Sequence, residues 1–125
     1  FGLAAHRYGN YFYNKELSIV ANKINHYKQG EMYLYGSSDL YYPLTDKIPP
    51  GKKYIPSLPW YLNYPPFQED LLESLNFGSP LVLVDTGFMV DGKTLVSQTS
   101  NIYEYIKMHY NLVDTEGNIE FYIKK

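Results

Sequence analysis

Leu17, Val20, Ala21, Ile24 and Tyr27 recur at the three- and four-residue spacing of one helical face, with Asn14 placed to cap the start and Gly30 just past the end. This pattern predicts an amphipathic helix, extended backward toward Tyr8. Glu31 to Tyr35 then reads as a short strand stopped by Gly36. Seven prolines, at 43, 49, 50, 56, 59, 65 and 66, fall between Tyr42 and Pro66. They nearly exclude regular helix there and predict a long wrapped connection, with Lys53-Tyr54-Ile55 as a short strand ending at Pro56. Phe67, Leu71, Leu72 and Leu75 restore helical spacing, with acidic residues in the first turns. Pro80 to Asp85 is a continuous apolar run, the pattern of a strand buried on both faces at the centre of a sheet. Ile102, Tyr105, Ile106 and His109 mark a third helix, with Ser100 or Asn101 as its cap. Tyr110 to Val113 and Ile119 to Ile123 flank a turn-rich loop from Asp114 to Asn118, so the chain should close on a β-hairpin. Together these elements predict an α/β fold, a small layered sandwich with a partly parallel central sheet, flanking helices and a C-terminal β-hairpin.

A length of 125 residues suits a single domain over 1–125, because two cores would leave each half marginal. The 11 basic and 13 acidic residues leave no cationic excess for a polyanion, so nucleic acid is not an expected partner. Without cysteine the chain has no disulfide, no thiolate zinc site and no cysteine nucleophile, and its redox compartment stays open. No apolar run approaches the roughly 20 residues of a membrane span. The chain starts at Phe1, within an apolar and aromatic segment and without an initiator Met, which points to a piece excised from a longer polypeptide. The sharpest bias is 15 tyrosines, many between Tyr27 and Tyr64. Most are expected at the core or its boundary, with the hydroxyl at the surface.

Candidate chemistry is sparse. Leu81 to Gly87 carries the Asp-Thr-Gly of an aspartic protease turn, but Phe88 follows where a small residue belongs and the helical pattern is wrong for an all-β protease. Asp85 is better read as ending a buried strand and capping the next turn. Gly36-Ser37-Ser38-Asp39 follows a strand, at the position where α/β folds open ligand crevices, yet it lacks the glycines and lysine of a phosphate loop. A serine there, Ser37 or Ser38, is favoured as the cap of a short turn through Tyr41. His6, His26 and His109 have no second ligand at metal spacing, and Ser57 has no local activating partner. Neither a metal nor a cofactor is expected. Tyr41, Tyr42, Tyr54, Trp60, Tyr61 and Tyr64 lie in the proline-stiffened segment, either as an aromatic platform for a sugar, a prenyl chain or a protein, or as a roof packed over the sheet. The candidate ligand-binding residues are Ser37, Asp39, Tyr41, Tyr42, Trp60 and Tyr61, with no catalytic residue among them.

The order of parts carries a resemblance: a helix ending at Gly30, the strand Glu31 to Tyr35, Gly36, then Asp39 to Thr45, Pro49-Pro50, and Tyr54-Ile55-Pro56-Ser57-Leu58-Pro59-Trp60. It resembles the soluble C-terminal tail of polytopic GT-C membrane glycosyltransferases of the mannosyltransferase and aminoarabinose-transferase type, over nearly the whole chain and through degenerate motifs. The resemblance implies an extracytoplasmic α/β domain attached to a membrane enzyme that uses a polyprenyl-phosphate sugar donor. The remainder of that parent would be its partner, with a glycan or lipid-linked sugar as a further one. The family's catalytic acid lies in an early loop outside this sequence, so the implied role is scaffolding or acceptor binding. The reading from a different class is a free-standing α/β module that binds a small ligand or a partner through the Tyr/Trp loop. An enzyme built on Asp85 or Asp39 is the third.

Overall fold

A computed structural model describes residues 15–125. The first helix, α1 (Lys15–Ile24), is followed by β1 (Met32–Tyr35), α2 (Tyr41–Leu44), a 3-10 turn (Pro50–Lys52), α3 (Pro59–Leu62) and α4 (Pro65–Phe77). Then come β2 (Leu81–Asp85), β3 (Met89–Val90), β4 (Lys93–Thr94), α5 (Leu95–Gln98), α6 (Ser100–His109), β5 (Tyr110–Glu116) and β6 (Ile119–Lys124). The expected backward extension of the first helix toward Tyr8 lies outside the described residues, as does His6.

A mixed sheet of order β1-β2-β6-β5 organises the fold. The β1–β2 pair is parallel, in the register Met32 to Leu81 and Tyr35 to Val84, whereas β6 runs antiparallel to both β2 and β5. Alternation along the strands separates two cores. Met32, Leu34, Leu81, Leu83, Ile119 and Phe121 pack with Val20 and Ile24 of α1 and Tyr41 of α2. Tyr33, Tyr35, Val82, Val84 and Tyr122 pack on the other face with Leu62, Leu71, Leu75, Leu95, Ile102 and Ile106 from α3 to α6. Each fully buried aliphatic side chain contributes about 1.5–3 kcal/mol, and helices on both faces account for the unbroken apolar run of β2. The expected layered α/β sandwich with its partly parallel sheet and closing hairpin is what the chain forms.

The proline-rich segment departs from expectation. Besides the 3-10 turn it holds α2, α3 and the start of α4, because Pro43, Pro59, Pro65 and Pro66 all occupy first-turn positions, where a missing N–H removes no intrahelical hydrogen bond. Tyr54 is in no strand. The outer edge of β1 is completed instead by one backbone bridge and two side chains. Ile48 donates to Gly30 O at 3.0 Å, and Met32 donates to Ile48 O at 2.8 Å. The Tyr42 hydroxyl donates to Met32 O at 2.6 Å. The Ser57 hydroxyl donates to Leu34 O at 3.2 Å and accepts from Gly36 N at 2.9 Å. Two hydroxyls thus stand in for a neighbouring strand and satisfy an edge that is otherwise open to pairing with another chain.

A second hairpin, β3–β4, turns on Asp91 (φ 54°) and Gly92 (φ 80°), the left-handed pair of a type I′ turn. Thr94 then caps α5, its side chain accepting from Ser97 N at 3.3 Å. Thr99, rather than Ser100 or Asn101, precedes α6, and its hydroxyl bonds back to Leu95 O at 2.8 Å instead of capping that helix.

Candidate functional site

The carboxyl ends of the parallel pair β1 and β2 lie side by side, and the chain leaves each through a turn built by small residues. After β1, Gly36 adopts φ +82° and presents no side chain to Phe88, whose Cβ would lie 3.0 Å from an added methyl. Ser38 organises the next turn: its hydroxyl accepts from Leu40 N at 3.2 Å and its carbonyl from Tyr41 N at 3.2 Å, which starts α2. Of the two serines weighed for this role, Ser38 is the one that fills it. After β2, the Asp85 carboxylate accepts from Gly87 N at 2.9 Å, and Phe88 N donates to Asp85 O at 3.3 Å. Asp85 therefore organises its own turn.

Between these turns and the segment Tyr54 to Leu58 opens a cleft of about 330 Å³, walled by Ser37, Asp39, Tyr54, Ser57, Leu58 and Phe88 among others. Phe88 packs against the tyrosine-rich core, and its carbonyl accepts from Leu95 N at 2.8 Å. Tyr54 is half-exposed, and its hydroxyl donates to Asp39 Oδ2 at 2.7 Å. That hydrogen bond to the carboxylate, helped by burial and the nearby negative charge, pushes the Tyr54 phenol up to about 12. Ser37 is 7% exposed, and its hydroxyl has no hydrogen-bond partner. Leaving such a group unsatisfied costs about 1–3 kcal/mol.

Of the six candidate residues from the sequence, the structure brings Ser37 and Asp39 together in this cleft and leaves the rest elsewhere. Tyr41 is 1% exposed and belongs to the core under α1. Tyr42, about 100° further around the helical turn, reaches back to the β1 edge. Tyr61 stacks on Phe67 at 4.2 Å between centroids, while Trp60 is 71% exposed. Tyr41, Tyr42, Trp60 and Tyr61 therefore do not assemble into one aromatic platform: consecutive residues on a helical turn point to different neighbours. Tyr54, Ser57 and Phe88 complete the cleft, and sequence reasoning did not place them together. The two available signals were the strand-ending Gly36 and the Thr-Gly turn before Phe88, which share one end of a parallel pair.

The tyrosine bias has a structural explanation as well. The hydroxyls of Tyr35 and Tyr110 donate inside the protein, to Thr99 O at 3.1 Å and to Leu75 O at 2.8 Å, rather than facing water. Tyr103 and Tyr122 share Glu120 Oε1, at 2.7 and 2.9 Å. Burial is the leading cause that raises all four phenols above their ordinary range, so they act as neutral hydrogen-bonding groups at physiological pH.

Among the described residues no cluster of His, Asp and Glu is placed to hold a metal ion, and no helix is long and apolar enough to cross a membrane. No protein-family model matches the chain, and no curated protein or solved structure is significantly similar to it.

Proposed function

We propose that this chain is a non-catalytic binding domain, the extracytoplasmic part of a polytopic membrane glycosyltransferase that uses a polyprenyl-phosphate sugar donor, with a role in bracing or seating the acceptor. The observation that carries the reading is the cleft at the carboxyl ends of β1 and β2. Apart from Phe88, its walls come from Ser37 to Asp39 and Tyr54 to Leu58, within the stretch that carries the resemblance. Ser57 holds those segments together through the Gly36 amide and the Leu34 carbonyl. Crevices at this position in α/β folds are ligand sites.

The cleft is furnished for binding rather than for chemistry. Asp39 has no second carboxylate among the lining residues with which to share a proton. The Ser57 hydroxyl is committed to two backbone groups, with no base among these hydrogen-bond partners. Asp85 is engaged with its turn.

The membrane-enzyme part of the proposal is tested by reading the frame upstream of the Phe1 codon in the source genome. A series of apolar segments, each of roughly 20 residues, supports it. Their absence would leave the second reading, a free-standing small-ligand module that uses the same cleft.

A further inference from the structure

The wall chemistry of this cleft is specific enough to name a ligand class. Resting on the reading of the chain as a binding domain, we propose that the cleft takes a neutral sugar residue. Its hydroxyls would be held by the Asp39 carboxylate and the Ser37 hydroxyl, and its ring would lie against Phe88 and Tyr54.

Four observations lead to this class. First, among the lining residues Asp39 alone carries charge, and that charge is negative. A phosphate or carboxylate would meet repulsion here and no compensating cation, which separates this cleft from an anion site. Second, Asp39 spends one acceptor position on the Tyr54 hydroxyl. A carboxylate has about four such positions, so several are left for the vicinal hydroxyls of a sugar. Third, the Ser37 hydroxyl is buried in the wall and bonded to nothing. The oxygen is shielded in this rotamer, so a ligand hydroxyl supplies the missing partner only once rotation about χ1 turns it toward the cleft. Fourth, the two aromatic rings are held in place before any ligand arrives. Phe88 is fixed by its packing against the core, and Tyr54 by its bond to Asp39. Preorganised rings bury the apolar face of a sugar at little entropic cost. A volume of about 330 Å³ is at the small end of ligand clefts, which run from roughly 300 to 1,000 Å³, and suits one sugar residue better than a long oligosaccharide.

The test is an amide-shift titration of the full 125-residue chain. The probes are methyl α-D-glucopyranoside, methyl α-D-mannopyranoside and methyl β-D-galactopyranoside, with glucose 6-phosphate and inorganic phosphate as anionic counterparts. The expected result is a saturable shift with at least one neutral glycoside, confined to Gly36 to Asp39, Tyr54 to Leu58 and Phe88, with the anions weaker. D39N keeps an acceptor for Tyr54 but removes the charge, and should weaken binding about tenfold, the scale of one charge-assisted hydrogen bond reduced to a neutral one. S37A separates a binding role from a structural one. It should raise the thermal midpoint of the free chain by removing an unsatisfied hydroxyl, and should weaken the glycoside at the same time. No saturable shift with any neutral glycoside, shifts centred elsewhere, a preference for the phosphates, or unchanged affinity in both variants would overturn the proposal. The upstream reading frame is independent of this titration, so failure of the ligand class and failure of the membrane-enzyme reading are separately visible.

Discussion

At Gly36 two demands meet that only glycine satisfies: a φ of +82°, and a Cβ position 3.0 Å from the Phe88 side chain. Gly36→Ala should destabilise the chain by about 1–3 kcal/mol, read as a lower urea midpoint with an unchanged slope. Because the clash is with Phe88, it should also disturb the cleft wall. Tyr54 offers a pH readout at the same scale. Its phenol is raised to about 12 by the bond to Asp39, so the folded state favours the protonated form. The resulting stabilisation is complete below the unfolded value of about 10 and is lost as pH rises through about 12. Ultraviolet titration should find that one of the several late-ionising tyrosines returns toward the ordinary value in Asp39→Ala; an unchanged set of late-ionising tyrosines in that variant would contradict the bond. Tyr54 could be counted in the sequence, but its partner could not, because 15 residues of proline-rich chain separate it from Asp39.

Among elements, β1 depends on hydroxyls that reach it from outside the sheet. Tyr42→Phe and Ser57→Ala each leave backbone groups of β1 without a protein partner, at an expected cost of about 1–3 kcal/mol per variant, with less where water replaces the hydroxyl. Amide exchange at Gly36, whose N–H donates to the Ser57 hydroxyl, should quicken in the second variant. Unchanged exchange would show that the edge is held some other way. The helices and strands that carry their own periodicity, α1, α4, α6, β2 and the closing hairpin, are legible in the sequence because apolar spacing alone selects their buried face. The segment from Tyr41 to Tyr64 is not, because its short helical turns are set by where each proline falls relative to a helix start, and its sheet contacts are made by side chains rather than by a strand. Asp91-Gly92 was a local signal for the β3–β4 hairpin that needed only its short flanking residues to be read as strands. The cleft required knowing that β1 and β2 run parallel and adjacent, a fact of topology rather than of pattern.

Over the whole molecule, the two layers are tied across one face by Lys23 of α1. Its ammonium lies 2.8 Å from Asp114 Oδ2 and 3.7 Å from Glu116 Oε1 on β5. Asp114 follows a register shift after Leu112. The hydrogen bond from Lys23 holds the Asp114 carboxyl below its usual value. The contribution is therefore present above the unfolded value, about 3.9, and is lost as pH falls through the lower folded value. Because Val20 and Ile24 keep α1 anchored in the core, acid titration should loosen it only slightly, seen as a modest rise in amide exchange near Lys23; Asp114→Asn should remove that pH dependence with little change at neutral pH, as expected for a partly exposed pair.

The same scale holds the central claim, that the chain binds without catalysing. The direct measurement is transfer of a labelled sugar from a polyprenyl-phosphate donor by membranes that carry the proposed parent protein, with and without Asp39→Asn and Ser37→Ala. A binding domain predicts a raised KM for the acceptor and a kcat that is nearly unchanged at saturation. A collapse of kcat with KM unchanged, or no sugar transfer by the parent at all, would contradict it.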